Sequence, residues 1–119
     1  MILADTSVWI DHLRRPDPRL VAGLEWASVF VHPFVIGELA CGRLRHRDVF
    51  LGLLGRLPKA PVATDAEALA FLEARELTGR GIGYVDVHLL ASTALGTGMR
   101  FWTRDRRLAE VARELDLGA

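Results

Sequence analysis

Two rhythms run along the chain: short β-branched or aromatic runs that read as strands, and longer stretches with apolar residues three and four apart that read as helices. The first run covers residues 1–4 and ends abruptly on Asp5, Thr6 and Ser7. A helical pattern follows over residues 7–15, with Val8, Trp9, Ile10 and Leu13 at core spacing. Pro16-Asp17-Pro18 breaks it, and the second proline suits a helix start. Residues 19–26 place Leu20, Val21 and Leu24 on one face, and residues 28–32 read as a buried strand. Pro33 opens a nearly all-apolar helix from residue 34 to about residue 43. Val49, Phe50, Leu53, Leu54 and Leu57 form a helical stripe that, with Leu51, is wide enough for part of it to serve as a partner groove.

Past a proline-bounded linker at residues 57–61, Val62 suits a short strand. Thr64-Asp65-Ala66-Glu67 is a capping box for a helix running to about residue 78, with Leu69, Leu72 and Leu77 as its buried candidates. A glycine-dense loop, residues 79–83, lacks a Walker lysine and dinucleotide spacing, so its use is backbone freedom beside a crowded site. Residues 84–95 form a helix rich in small residues, residues 99–103 the last strand, and the final helix buries Leu108, Val111, Ala112 and Leu115. This alternation predicts an α/β fold, three layers around a mostly parallel sheet of about five strands.

Composition narrows the picture. A chain of 119 residues fits one domain, residues 1–119, and half of its residues are hydrophobic. Lys+Arg and Asp+Glu are both 15, so nucleic-acid affinity through bulk charge is excluded and any such binding needs a local patch. One cysteine excludes a disulfide framework and a multi-cysteine zinc cluster. No export signal or membrane-length apolar run is present, which points to a soluble cytoplasmic protein.

Four acids then draw attention. Asp5, taken alone, reads as an N-cap, as do Thr6 and Ser7. Glu38 has Phe34, Val35, Cys41 and Gly42 at helical neighbour positions, and so should be partnered, protonated or metal-bound. Asp86 opens a helix where the dipole favours an anion, yet Ile82, Leu89 and Leu90 share its face. Asp105 repeats the opening pattern: apolar strand, hydroxyl at Thr103, acid, helix. In a parallel sheet, segments leaving strands at one edge converge, and that edge is where open α/β sheets carry ligands. One close carboxylate pair at about 4 Å is repulsive by about 4 kcal/mol at an effective dielectric near 20. No lysine is placed to offset this, whereas a divalent cation would, and an all-oxygen site favours Mg²⁺ or Mn²⁺ over zinc.

The remaining candidates are weaker. His12, His32, His46 and His88 show no metal-pair spacing; Cys41 reads as an inert core thiol; and Trp9, Trp26 and Trp102 read as packing. Arg43, Arg45 and Arg47 form a charge run that reads as a solvated face or, functionally, as a phosphate contact near Glu38.

The segments Leu3-Ala4-Asp5-Thr6-Ser7-Val8-Trp9-Ile10, Ile36-Gly37-Glu38-Leu39, Gly83-Tyr84-Val85-Asp86-Val87-His88-Leu89-Leu90-Ala91 and Trp102-Thr103-Arg104-Asp105-Arg106-Arg107-Leu108 together resemble the PIN-domain family. More closely, they resemble the VapC toxins of toxin–antitoxin pairs, over essentially the whole chain and in order. The resemblance implies a Mg²⁺-dependent endoribonuclease, with Mn²⁺ able to substitute. Asp5, Glu38, Asp86 and Asp105 would hold one or two ions, and Thr6 and Thr103 would orient them. It further implies a homodimer and inhibition by a cognate VapB-type antitoxin, with an antitoxin arginine reaching the acids. Arg43, Arg45, Arg47, Arg104, Arg106 and Arg107 could supply contacts to RNA phosphates. Two enzymatic rivals lack their signatures: a receiver domain needs an early acidic pair and a late lysine, and a haloacid-dehalogenase-type phosphatase needs an acid where Ser7 stands. The non-enzymatic alternative is a catalytically inactive PIN-like module that binds RNA or a partner.

Overall fold

In the computed structural model, which describes residues 1–119, the opening apolar run folds as β1 (Ile2–Ala4) at the centre of a parallel sheet. β2 (Val29–Phe30) and β3 (Arg100–Trp102) flank it in the order β2-β1-β3, with Leu3 opposite both Phe30 and Phe101. Leu3 and Ala4 are wholly buried, as the continuous apolar run of a central parallel strand requires. The sheet therefore has three strands and not the expected five. Outside β2, Val31 makes a single parallel bridge to Lys59; outside β3, Phe101 bridges Gly118 in the same sense. These two segments keep the sheet's direction without extending into strands. On the first side, Pro58 and Pro61 lack the N–H groups a ladder needs, and Val62 lies outside any strand.

Seven helices connect the strands: α1 (Thr6–Arg14), α2 (Pro18–Glu25), α3 (Pro33–Ala40), α4 (Arg47–Arg56), α5 (Asp65–Ala74), α6 (Tyr84–Leu95) and α7 (Arg106–Glu114). Their starts are written locally. Asp17 accepts from the N–H groups of Arg19 and Leu20 to cap α2, and Thr64 and Glu67 form the expected reciprocal box on α5. α5 ends at Ala74, earlier than the periodicity predicts, because Glu76 adopts a left-handed conformation (φ 54°) and the Leu77 N–H turns back to the Leu72 carbonyl. α3 stops at Ala40, where Arg47 reaches back to the carbonyls of Ala40 and Gly42.

One core joins sheet and helices through Leu3, Val8, Trp9, Leu90, Phe101 and Leu108. α1, α3 and α4 pack against one another on the chain's first half, and α5 packs against α6. α6 is buried continuously from Val87 to Thr93, which explains its small residues. Several expected core positions face outward instead. Trp26 is 83% exposed, Leu69 52% and Leu53 54%; Ile10, Leu13 and Val49 are also exposed. Cys41 caps the C-terminus of α3 as an exposed free thiol and not a core thiol. On α1 and α4 much of the apolar face that periodicity marks is left open. No helix is long and apolar enough to cross a membrane.

Candidate carboxylate site

β1 ends at Asp5, whose backbone N–H donates to the Trp102 carbonyl of β3 at 3.0 Å. The strand thus delivers the Asp5 side chain to the carboxyl edge of the sheet, between α1 and the β3–α7 turn. Its Oδ1 accepts from the Ser7 hydroxyl (2.5 Å) and from the N–H groups of Ser7 and Val8, capping α1. Its Oδ2 accepts from the Thr103 hydroxyl at 2.6 Å. Burial pushes the Asp5 carboxyl up, against the pull of these donors. Ser7 was visible in the sequence only as a possible cap. In the fold it also accepts the Arg104 N–H at 2.9 Å, lashing the β3–α7 turn to α1. A hydroxyl two residues after an acid at a strand end is the signal that could have found it.

The other three acids stand on helix termini around this point. Glu38, on α3, accepts the Thr6 hydroxyl at 2.6 Å; it is exposed and not buried among the apolar neighbours that the helical spacing assigned to it. The reason is that Cys41 and Gly42 lie where α3 has already ended. Asp86, in the first turn of α6, accepts the Gly83 N–H at 2.9 Å. Asp105 caps α7 through the Leu108 N–H at 3.1 Å, and its own N–H donates to the Thr103 hydroxyl. Burial pushes the Asp86 carboxyl up; the Gly83 N–H opposes this, and the charges of Asp5, Asp105 and Glu38 push it up further. The charges of the other three predicted acids thus all reach Asp86.

No three His, Cys, Asp or Glu side chains stand in a ligating arrangement, because each acid is turned toward a donor of its own. The donor set nevertheless fits a hard divalent cation. It is all oxygen, none of the molecule's ion pairs involves these four acids, and the three other charges all bear on Asp86, where a cation would offset them. Thr6 and Thr103, the two residues expected to orient the site, each hold one of its carboxylates.

The arginines divide. Arg47 is occupied with α3 carbonyls, and Arg104 pairs with Asp17 and, at 3.6 Å, with Asp11 while its guanidinium lies over Trp102. Arg43 and Arg45 line a groove of about 370 Å³ beside Glu38, together with Arg14 and the apolar Ile10, Leu13 and Leu39. Arg106 is exposed at the start of α7, beside the acids. Arg107 packs over Gly81, whose φ of 79° favours glycine.

The family model of the PIN domain matches residues 2–114. Two curated relatives, each named Ribonuclease VapC32, come from Mycobacterium tuberculosis strains CDC 1551 / Oshkosh and ATCC 25618 / H37Rv. Each is 52% identical over 114 residues, which cover 96% of this chain and 92% of the relative.

Proposed function

The chain belongs to the PIN-domain family, in its VapC-type branch, and on that premise we propose that it is a divalent-metal-dependent endoribonuclease, the toxin of a VapBC-type pair. The observation that carries this reading is the placing of Asp5 and Asp105 on either side of Thr103 at the sheet edge, with Glu38 held by Thr6 just beyond Asp5 and the charges of all three reaching Asp86. These four residues would hold Mg²⁺, or Mn²⁺ in its place. Bound there, the ion supplies a water of lowered pKa and polarises the scissile phosphate. The protein's own part is positioning. Ser7 and Thr103 hold both oxygens of Asp5, Thr6 holds Glu38, and the α6 and α7 N-termini hold Asp86 and Asp105. Hydrolysis by water leaves a 5′-phosphate and a 3′-hydroxyl and does not use the RNA 2′-OH.

Arg43, Arg45 and Arg106 would hold the RNA backbone on either side of the acids, supplying locally the positive charge that the neutral chain lacks overall. A cognate VapB-type antitoxin would lie along the open apolar cleft of Trp9, Leu13, Leu24, Phe50 and Leu53 and reach the acids with an arginine, whose planar fork suits paired carboxylates. We place the protein in the cytoplasm as a homodimer, each copy a single domain over residues 1–119.

The deciding experiment is Mn²⁺ calorimetry on antitoxin-free protein with RNA cleavage measured in parallel, wild type beside Asp86→Asn. Saturable Mn²⁺ binding and cleavage that EDTA abolishes, both weakened in the variant, are the expected result. Cleavage that survives in Asp86→Asn would sink the mechanism. Metal binding without any cleavage would favour an inactive binding module.

A further inference from the structure

Away from the carboxylates, two buried histidines sit at the entries of α3 and α6. His32 is the N-cap of α3, and its Nδ1 accepts the Phe34 N–H at 3.0 Å. An accepting ring nitrogen carries no proton, so the proton of this neutral imidazole is on Nε2. That Nε2 is buried and has no hydrogen-bond partner. Burial, and then the presence of His88, hold His32 down to about 4, so it is neutral at pH 7. His88 has the complementary need. Its Nε2 lies 2.9 Å from Oδ1 of Asp65, which the Tyr84 hydroxyl and His88 itself hold below the usual carboxylate range. An ionised carboxylate only accepts, so Nε2 of His88 is the donor; in the neutral ring Nδ1 is then a buried acceptor, and it has no partner.

The Phe34 ring packs edge-on against both imidazoles, with centroids 4.9 Å from His32 and 5.0 Å from His88. The one other unpaired buried nitrogen, Trp9 Nε1, belongs to a ring packed against His12 and Phe50. Two rings packed on the same Phe34 thus present one unmatched donor and one unmatched acceptor, a combination that buried polar groups rarely leave open.

We propose that His32 and His88 are two halves of one hydrogen-bonded relay, closed by a buried water that accepts from His32 Nε2–H and donates to His88 Nδ1, and that this relay positions Glu38 and Asp86. The relay runs from the Phe34 N–H through His32, the water and His88 to Asp65, where the Tyr84 hydroxyl donates to the same oxygen at 3.0 Å. It joins the first turns of α3, α5 and α6. Glu38 lies six residues beyond His32 on α3, and Asp86 lies two residues before His88 on α6. Both histidines are positioning residues; only this last step rests on the carboxylate reading above.

Nitrogen-15 spectra of the full chain at neutral pH test the relay without RNA or metal. Both imidazoles should be in the Nε2–H form, and the His32 Nε2–H proton should exchange slowly and show cross-relaxation to a long-lived water. His88→Gln keeps a donor for Asp65 but removes the Nδ1 acceptor, and should abolish that slow exchange. A His32 proton that exchanges at solvent rate in wild type, or that is unaffected by His88→Gln, overturns the relay. His32→Ser keeps an acceptor for the Phe34 N–H and removes the far donor. Across the relay, His32→Ser should move the carboxyl carbon signal of Asp86, and His88→Gln that of Glu38; two stationary signals overturn the positioning role. In folded variants each change should also weaken Mn²⁺ binding about tenfold, the double variant no further, since both remove one link. Additive losses would count against a shared relay. A wild type that binds no Mn²⁺ would sink the metal reading, while the spectra still decide the relay.

Discussion

Asp5 and Glu38 each accept a threonine hydroxyl at 2.6 Å, yet the two carboxylates live in opposite surroundings. Asp5 is 7% exposed at the sheet edge and is also held by Ser7, while its threonine comes from 98 residues away. Glu38 stands in solvent on a helix with Thr6 as its one donor. In water a hydroxyl competes with solvent for the same oxygen, so the bond to Glu38 holds weakly; at Asp5 nothing competes, and losing a donor strands a buried acceptor. The site therefore has a stiff half built on β1 and β3 and an adjustable half carried by α3.

The largest effect that bears on this contrast is on cleavage. Asp5→Asn should lower RNA cleavage by more than about 100-fold, while Glu38→Gln loses about tenfold. Because burial already disfavours the charged form of Asp5, the neutral amide should leave the melting temperature near that of wild type. Equal losses at the two positions would break the distinction between stiff and adjustable halves.

Acid separates the halves next. The His32 imidazole is held at about 4 in the fold, below its ordinary 6.5, so the unfolded chain takes up the proton first. Its contribution to stability is complete above pH 6.5 and is lost as pH falls toward 4, a difference of roughly 3 kcal/mol. Asp5 runs the other way: its raised carboxyl favours the fold on protonation, and that contribution fades as pH rises through the folded value. Urea unfolding of wild type and His32→Ser at pH 7 and pH 4.5 isolates the histidine; parallel losses in the two proteins would show that His32 is not its source.

Smaller effects sharpen the contrast. Thr103→Val should cost about 1–3 kcal/mol by leaving Asp5 Oδ2 unpaired in a buried site, and Thr6→Val less than about 0.5 kcal/mol. Chemical denaturation of the two variants side by side reads the ratio. Arg104→Ala, which releases the exposed pairs with Asp11 and Asp17, should change stability by less than about 1 kcal/mol.

Much of the site was legible because it is written in local chemistry. Asp5 and Asp105 each follow an apolar strand and open a helix, and both are bonded to Thr103 at the sheet edge. The capping box at Thr64 and Glu67 was equally plain. What stayed hidden depends on distant partners. Periodicity marks Ile10, Leu13 and Leu53 as an apolar face but cannot say whether another element covers it. Glu38 was expected among apolar neighbours because α3 was read as continuing to about residue 43, past its end at Ala40. Of the five strands expected, pattern located only one beyond the three observed, at Val62, and single bridges at Lys59 and Gly118 flank the sheet instead. The pairing of His32 with His88 crosses 56 positions, from 32 to 88, and leaves no mark in either local segment.

The central place of β1 has a consequence for timing during synthesis. Its Leu3 is made well before its partner Phe101 and the hydroxyl of Thr103, which follow nearly a hundred residues later. A nascent chain carries Asp5 from the start without the strand that seats it. The carboxylate site therefore cannot assemble before β3 and Asp105 have emerged from the ribosome.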